Sequence, residues 1–370
     1  MGNEIRILQI VPNMQQGGIE NFIMNIYRNI DKNKIQFDFL VHYNKKCFFD
    51  EEIERLGGKI YRFPVMENKN VIRYIKELDK FFKEHTEYKV VHGHMASLAF
   101  IYLWIAKKNG VKYRIIHSHG TSFLKTVKGI AKYILFRFAD KHANVRWACS
   151  NEAGKYLYKK KSFDVIPNAI DFKKFEYNPK IRETVRKELD INEETFVIGH
   201  VGRFNLQKNH KFIINLMEKL LRENENLKLL LIGDGETKEE INKLACDLNI
   251  NNKIIFLGIR EDVNRIYQAM DILIMPSLFE GLPVTGIEAQ ANGLKCLFSD
   301  NITREVDISK KSEFIKLSEE AWKNSIIENI HYKRDLKDFD NSIFNIEKLT
   351  KQLQRRYEEY YYEKFSSKKG

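Results

Sequence analysis

Cysteine is scarce: four residues in 370, at positions 47, 149, 246 and 296. They form no CxxC pair and keep no histidine at zinc-ligand spacing, which argues against a disulfide framework or a structural zinc site. Buried thiols in a reducing cytosol are the expectation. No apolar run approaches the roughly 20 residues that a membrane-crossing helix needs. The opening MGNEIRILQIVP lacks a basic-then-apolar leader ending in small residues, so no secretory signal is expected. Acidic residues are in deficit. Against 62 Lys and Arg stand 50 Asp and Glu, a net charge of +12. A phosphorylated substrate, anionic lipid headgroups and nucleic acid all suit such a balance, and a Lys-rich solvated surface accounts for much of it. There is no nucleic-acid motif and no aromatic–basic alternation suited to base stacking, so nucleic acid is not an expected partner. The expected location is the cytoplasm, or the inner face of the plasma membrane.

With 43% hydrophobic and 30% charged residues, the chain has the balance of a globular protein, and its length fits two domains. Short branched apolar runs alternate with segments of helical periodicity. Strands are expected at 5–11, 37–41, 89–92, 114–117, 145–149 and 164–166, then at 196–201, 227–232, 254–256, 272–275 and 295–298, with helices between. That alternation predicts an α/β fold: two doubly wound, Rossmann-like domains whose strand ends face a central cleft. The expected boundaries are 1–170 and 171–340, with 341–370 as a C-terminal helix. The polar run to Asn178-Pro179 reads as a linker.

The most informative stretch is DILIMPSLFEGLPVTGIEAQANGLKCLFSD, residues 271–300. It reads as strand, loop, helix, strand. Pro283 suits a first helical position and Gly293 a left-handed cap. The free N–H groups of Val284 and Thr285, with the helix dipole, form an anion site at a strand's carboxyl end. Glu280 and Glu288 bracket it. Phosphate in the middle and hydroxyls at both ends describe a nucleotide-sugar. Spacing alone leaves an ordinary βαβ unit with two solvated glutamates equally open.

Other constellations fall at strand ends. Gly17-Gly18, with Glu20 behind them, follow the first strand and suit close backbone approach. His92-Gly93-His94 and His117-Ser118-His119 follow two further strands. With no cysteine or carboxylate at ligand spacing beside them, no metal is expected. Arg203 and Lys208 share one strand-to-helix loop in GRFNLQKN, where a fork and a point charge can bracket a diphosphate. Gly233-Asp234-Gly235 reads as a tight turn. The helix expected at 126–141 alternates basic and apolar residues, which suits either a membrane-resting face or an ordinary helix on the sheet. The DFD run at 338–340 reads as solvated.

PSLFEGLPVTGIEA resembles the signature of retaining GT-B glycosyltransferases of family four, and its continuation through SDNITREVDI is most similar to the capsular and exopolysaccharide branch. The resemblance covers residues 17 to about 308. It implies a metal-independent glycosyltransferase without cofactor, a nucleotide-sugar donor (UDP-sugar favoured) and a lipid-linked saccharide acceptor. It places His117, Arg203, Lys208 and Glu280 in catalysis. Gly18, Gly202, Ile259, Gly281, Leu282, Pro283, Val284, Thr285 and Glu288 join Arg203, Lys208 and Glu280 on the donor. Gly17, Gly18, His94 and His119 fall on the acceptor side. Glu288 would accept from the ribose hydroxyls and Glu280 would contact the donor sugar. With no carboxylate clearly placed as a nucleophile, front-face attack by the acceptor is the expected mechanism. The C-terminal helix is expected to pack back on the first domain. One departure is Ala169, where the family's loop usually has glycine. A non-catalytic nucleotide-sugar-binding protein and a basic nucleic-acid-binding protein are the alternatives.

Overall fold

The computed structural model describes residues 4–64, 70–120, 138–334, 336 and 343–362. It divides into two compact units, residues 1–169 with 343–370, and residues 170–342.

The first unit is a seven-stranded, all-parallel sheet: β1 (Ile5–Val11), β2 (Ile35–Val41), β3 (Ile60–Arg62), β4 (Val90–Gly93), β5 (Tyr113–Ser118), β6 (Val145–Ala148) and β7 (Asp164–Val165). The order across the sheet is β3-β2-β1-β4-β5-β6-β7. Helices α1 (Gly18–Asn29), α2 (Asp50–Arg55), α3 (Val71–Glu84), α4 (Ala96–Lys108) and α5 (Asn151–Tyr158) lie between the strands in sequence. β1 and β2 are buried almost throughout, as expected of strands covered on both faces. One sheet face carries Ile7, Phe37 and Phe39 with Phe22 and Tyr27 of α1, and the terminal helix Ile346–Tyr362 joins this core through Leu349, Leu353, Tyr357 and Tyr360. The other face packs Leu8, Ile10 and Val91 against Tyr74, Leu78 and Phe82 of α3 and Tyr102 and Leu103 of α4. Ala169 is buried in the first of these cores.

The second unit is a six-stranded parallel sheet ordered β10-β9-β8-β11-β12-β13. Its strands are β8 (Phe196–Val201), β9 (Leu227–Ile232), β10 (Ile254–Gly258), β11 (Ile272–Met275), β12 (Lys295–Ser299) and β13 (Glu313–Ile315). Its helices are α6 (Phe172–Phe175), α7 (Pro179–Glu188), α8 (His210–Leu221), α9 (Lys238–Asp247), α10 (Val263–Ala269), α11 (Val284–Ala291) and α12 (Glu319–Glu328).

Two expectations need correction. The presumed linker, the polar run to Asn178-Pro179, is structured: Asp171 caps α6, and Asn178 caps α7 by accepting from the Lys180 and Ile181 N–H groups, with Pro179 behind it. Asn-Pro marks a helix start here. Of the four cysteines, three are buried, but Cys246 is exposed because it follows the inward-facing Ala245 around α9 to the solvent side. The basic–apolar run at 126–141 lies mostly, and the DFD run wholly, outside the described residues. No helix among the described residues is long and apolar enough to cross a membrane.

Candidate functional site

In the second unit, the loops that leave the carboxyl ends of β8, β10 and β11 carry the expected donor residues, and the loop after β9 crosses the first of them. Such ends are where ligands bind in open parallel sheets. Gly202 follows β8, and its N–H bonds the Ile232 carbonyl at 2.9 Å. Gly233 crosses it with φ of +137°, and a Cβ there would overlap the Gly202 carbonyl oxygen. That close crossing sets the path of the Gly202-Arg203 turn. The Arg203 side chain is 71% exposed and reaches Glu236 at 3.2 Å, a screened contact of little energetic weight.

Asn205 accepts from the Lys208 N–H at 3.0 Å and closes one short turn, 206–208. The turn aims Lys208 at the loop after β11, where its Nζ lies 2.6 Å from Glu280 Oε1. Gln207 Nε2 donates to the other oxygen of Glu280 at 3.2 Å and to the Phe279 carbonyl at 2.9 Å. The two charged side chains are 16% and 9% exposed. The cation expected on the phosphates and the carboxylate expected on the sugar therefore hold each other in the unliganded chain.

α11 begins one residue later than expected, with Pro283 as its N-cap and Val284 first in the helix. The Pro283 carbonyl accepts from Gly286 at 3.1 Å. Val284 and Thr285 are half-buried, and their N–H groups have no partner among the described residues, as the first turn of a helix dictates. Leu282 is buried and Gly281 half-buried. Gly293 holds the expected left-handed position, φ 78°. Glu288 sits one turn along and accepts a 2.9 Å hydrogen bond from the buried Tyr267 hydroxyl. Burial raises its pKa, opposed by Tyr267 and by Lys174. Sequence reasoning missed Tyr267: nothing in NRIYQAMD distinguishes it from a core tyrosine. Ile259 is 66% exposed, just past Gly258, whose carbonyl accepts from Gly233 at 2.8 Å.

In the first unit, Gly17 is the N-cap of α1, and the Glu20 carboxylate folds back over it, so that a Cβ on Gly17 would overlap that carboxylate. Gly18 is exposed, and the space beside its Cα is open. The two histidine pairs form one cluster. His92 Nε2 lies 3.3 Å from His117 Nδ1, and His94 Nδ1 lies 2.9 Å from His119 Nε2. Phe22 of α1 meets His117 edge-on at 5.1 Å. Two supports come from elsewhere: Tyr357 of the terminal helix holds His92 Nδ1 at 2.8 Å, and Gln9 holds His94 Nε2 at 2.9 Å. Burial drives all four imidazoles neutral. His119 falls to about 3, and the others go well below the usual histidine value, with neighbouring rings adding to the effect. His92, His94 and His117 each offer a nitrogen within 4.8 Å of the others, a spacing that could hold a metal ion. Sequence spacing did not reveal this cluster, because the pairs converge only through the β4–β5 register.

The comparisons with known proteins agree with this architecture. Residues 16–174 match the family model described as Glycosyltransferase Family 4, and residues 181–343 match Glycosyl transferases group 1. The Bacillus subtilis protein EpsF, named as a glycosyltransferase, is 34% identical over 310 residues, 82% of this chain and 81% of EpsF. An Escherichia coli UDP-Gal:alpha-D-GlcNAc-diphosphoundecaprenol alpha-1,3-galactosyltransferase is 29% identical over 63% of this chain and 64% of its own length. The Staphylococcus aureus capsular polysaccharide biosynthesis glycosyltransferase CapH is 24% identical over 95% of this chain and 98% of CapH. Among solved structures, Anabaena Alr3699/HepE in complex with UDP and glucose superposes with a TM-score of 0.78 at 15% identity, covering 96% of this chain and all of that one. Two Rossmann-like parallel-sheet units, matched along their length by both family models, place the chain in the group 1, family 4 glycosyltransferases of GT-B architecture.

Proposed function

We propose that this glycosyltransferase moves a sugar from a UDP-sugar to a lipid-linked saccharide, with retention, during assembly of a bacterial capsular or exopolysaccharide. The observation that carries the donor half is the grouping in the second unit of Lys208, Glu280, the unpartnered N–H groups of Val284 and Thr285, and Glu288. The name of CapH supports the process, and that of the undecaprenol-linked galactosyltransferase supports the acceptor class. The UDP and glucose complex of a structural neighbour supports the donor.

In this reading the diphosphate settles on the α11 N-terminus and draws Lys208 from Glu280, with Arg203 swinging in from solvent. Cations and N–H groups then stabilise the charge on the departing nucleoside diphosphate as the glycosidic bond breaks, so catalysis needs no divalent ion. Glu280, released from Lys208, turns to the sugar hydroxyls, and Glu288 accepts from the ribose. Ile259 and Gly202 line the donor, and Gly281, Leu282 and Pro283 fix the loop. His117 faces the reacting sugar, while Gly17, Gly18, His94 and His119 serve the acceptor. The transition state is oxocarbenium-like, with the acceptor attacking from the leaving-group face. The basic balance of the chain favours a peripheral hold on anionic membrane near a lipid-borne acceptor.

The test is ligand-induced thermal stabilisation across UDP, GDP, UDP-hexoses and UDP-N-acetylhexosamines, with Glu288→Ala as control. A shift for uridine nucleotides that the variant loses supports the donor assignment. No shift with any of them overturns it. The anomeric configuration of the transferred sugar, read by NMR of the product, tests retention.

A further inference from the structure

Gln9 sits in the middle of β1, buried on all sides. An amide placed there is costly unless its polar ends are used. Its Oε1 can only accept, so the 2.9 Å contact puts a proton on His94 Nε2 and leaves His94 Nδ1 bare. His119 Nε2, 2.9 Å from that bare nitrogen, must then donate to it. The free end of this chain is His119 Nδ1, a lone pair, buried and without a hydrogen-bond partner among the described residues.

A second chain starts at Tyr357 of the terminal helix. The Tyr357 hydroxyl is buried, and His92 Nδ1 is its one hydrogen-bond partner of good geometry among the described residues. A buried hydroxyl with a single nitrogen partner donates its proton there, so the Tyr357 O–H bonds His92 Nδ1, 2.8 Å away. His92 Nε2 then donates to His117 Nδ1 at 3.3 Å. The free end here is His117 Nε2–H, also buried; it makes no hydrogen bond of good geometry among the described residues, although the Ile166 carbonyl acts on this ring as an acceptor. Neutral rings, each with one donor and one acceptor, are what two such chains require.

We infer that Gln9 and Tyr357 are positioning residues that lock all four histidines as Nε2–H tautomers, so that His117 presents a donor and the neighbouring His119, its ring centroid 4.1 Å away, presents an acceptor. A pair of opposite polarity suits hydroxyl groups of a saccharide, one accepting and one donating. That use rests on the transferase reading; the tautomers do not. Turning the Gln9 amide over would invert the first chain, leaving His94 and His119 as Nδ1–H.

The test is long-range proton–nitrogen NMR on unliganded protein labelled with nitrogen-15 in its histidine rings, the four signals being assigned by single substitutions. The expected result is four Nε2–H rings. Tyr357→Phe should shift the His92 and His117 signals and leave His94 and His119 in place. Gln9→Leu should shift the His94 and His119 signals and leave His92 and His117 in place. A wild-type spectrum showing His117 bare at Nε2, or His119 protonated at Nδ1, overturns the inference. So does stoichiometric capture of added zinc by His92, His94 and His117. Neither the wild-type measurement nor Tyr357→Phe depends on donor, acceptor or turnover, so failure here is separable from failure of the transferase assignment.

Discussion

Lys208 and Glu280 should be energetically coupled before any substrate arrives. Their 2.6 Å contact is nearly closed to water, with side chains 16% and 9% exposed, so it lies closer to a buried pair than to a surface one. Truncating Lys208 leaves Glu280 with one neutral donor, Gln207. An uncompensated carboxylate in such a place should cost about 2–3 kcal/mol. In a unit of this size that corresponds to a fall of roughly 4–12 °C in melting temperature. Lys208→Met, Glu280→Gln and the double variant form a cycle, read by urea unfolding and by thermal melts. The double variant should be less destabilised than the sum of the singles by about 2 kcal/mol. In turnover the same lysine should be worth more: Lys208→Ala should lower kcat/KM by about 100- to 1,000-fold, the scale for losing one donor to a developing anion. A coupling below about 0.5 kcal/mol, within the additivity error of independent sites, would refute the pairing. Wild-type turnover by Lys208→Ala would refute its role on the phosphates.

Three further outcomes follow from the same geometry. Glu288 has a raised pKa in the folded chain, so over the window from its ordinary value of 4.5 upward the native state holds the proton that the unfolded state has lost. Stability then falls as pH rises through that window. Glu288→Gln should flatten this fall and gain relative stability above it while losing UDP-induced stabilisation; an unchanged pH–stability curve would contradict the assignment. Gly233→Ala should displace the Gly202-Arg203 turn, because its Cβ overlaps the Gly202 carbonyl and its φ of +137° strains any other residue, and activity should drop together with melting temperature. EDTA should leave turnover intact; a loss restored by manganese would overturn the metal-free mechanism.

The legible parts of this chain are those where local composition and burial coincide. β8, β9 and β11 are wholly apolar inside or nearly so, and their limits match the strands expected at 196–201, 227–232 and 272–275. β3 and β13 escaped notice because each is a three-residue edge strand, IYR and EFI, only half-buried along its length and too short for a periodicity to show. The strand, loop and helix that end in α11 were readable because they are contiguous in sequence. Contacts between segments were not. Lys208 meets Glu280 across 72 residues of sequence, Tyr267 reaches Glu288 from an unrelated helix, and Tyr357 reaches His92 across 265. Pattern shows which face a residue takes, whereas partnership depends on how the loops close.

The first unit takes part of its core from the far end of the chain: Leu353, Tyr357 and Tyr360 lie with Phe37 and Trp147 in a single cluster. During synthesis that partner is missing until the whole second unit has been made. A ribosome-bound chain therefore carries an open aromatic face on its older half while its younger, contiguous half is free to complete its fold. The order of maturation runs against the order of translation. A chain stalled before residue 346 would present Trp147 and Phe37 to chaperones or to other nascent copies, and it would lose the tyrosine that holds His92 in the same event.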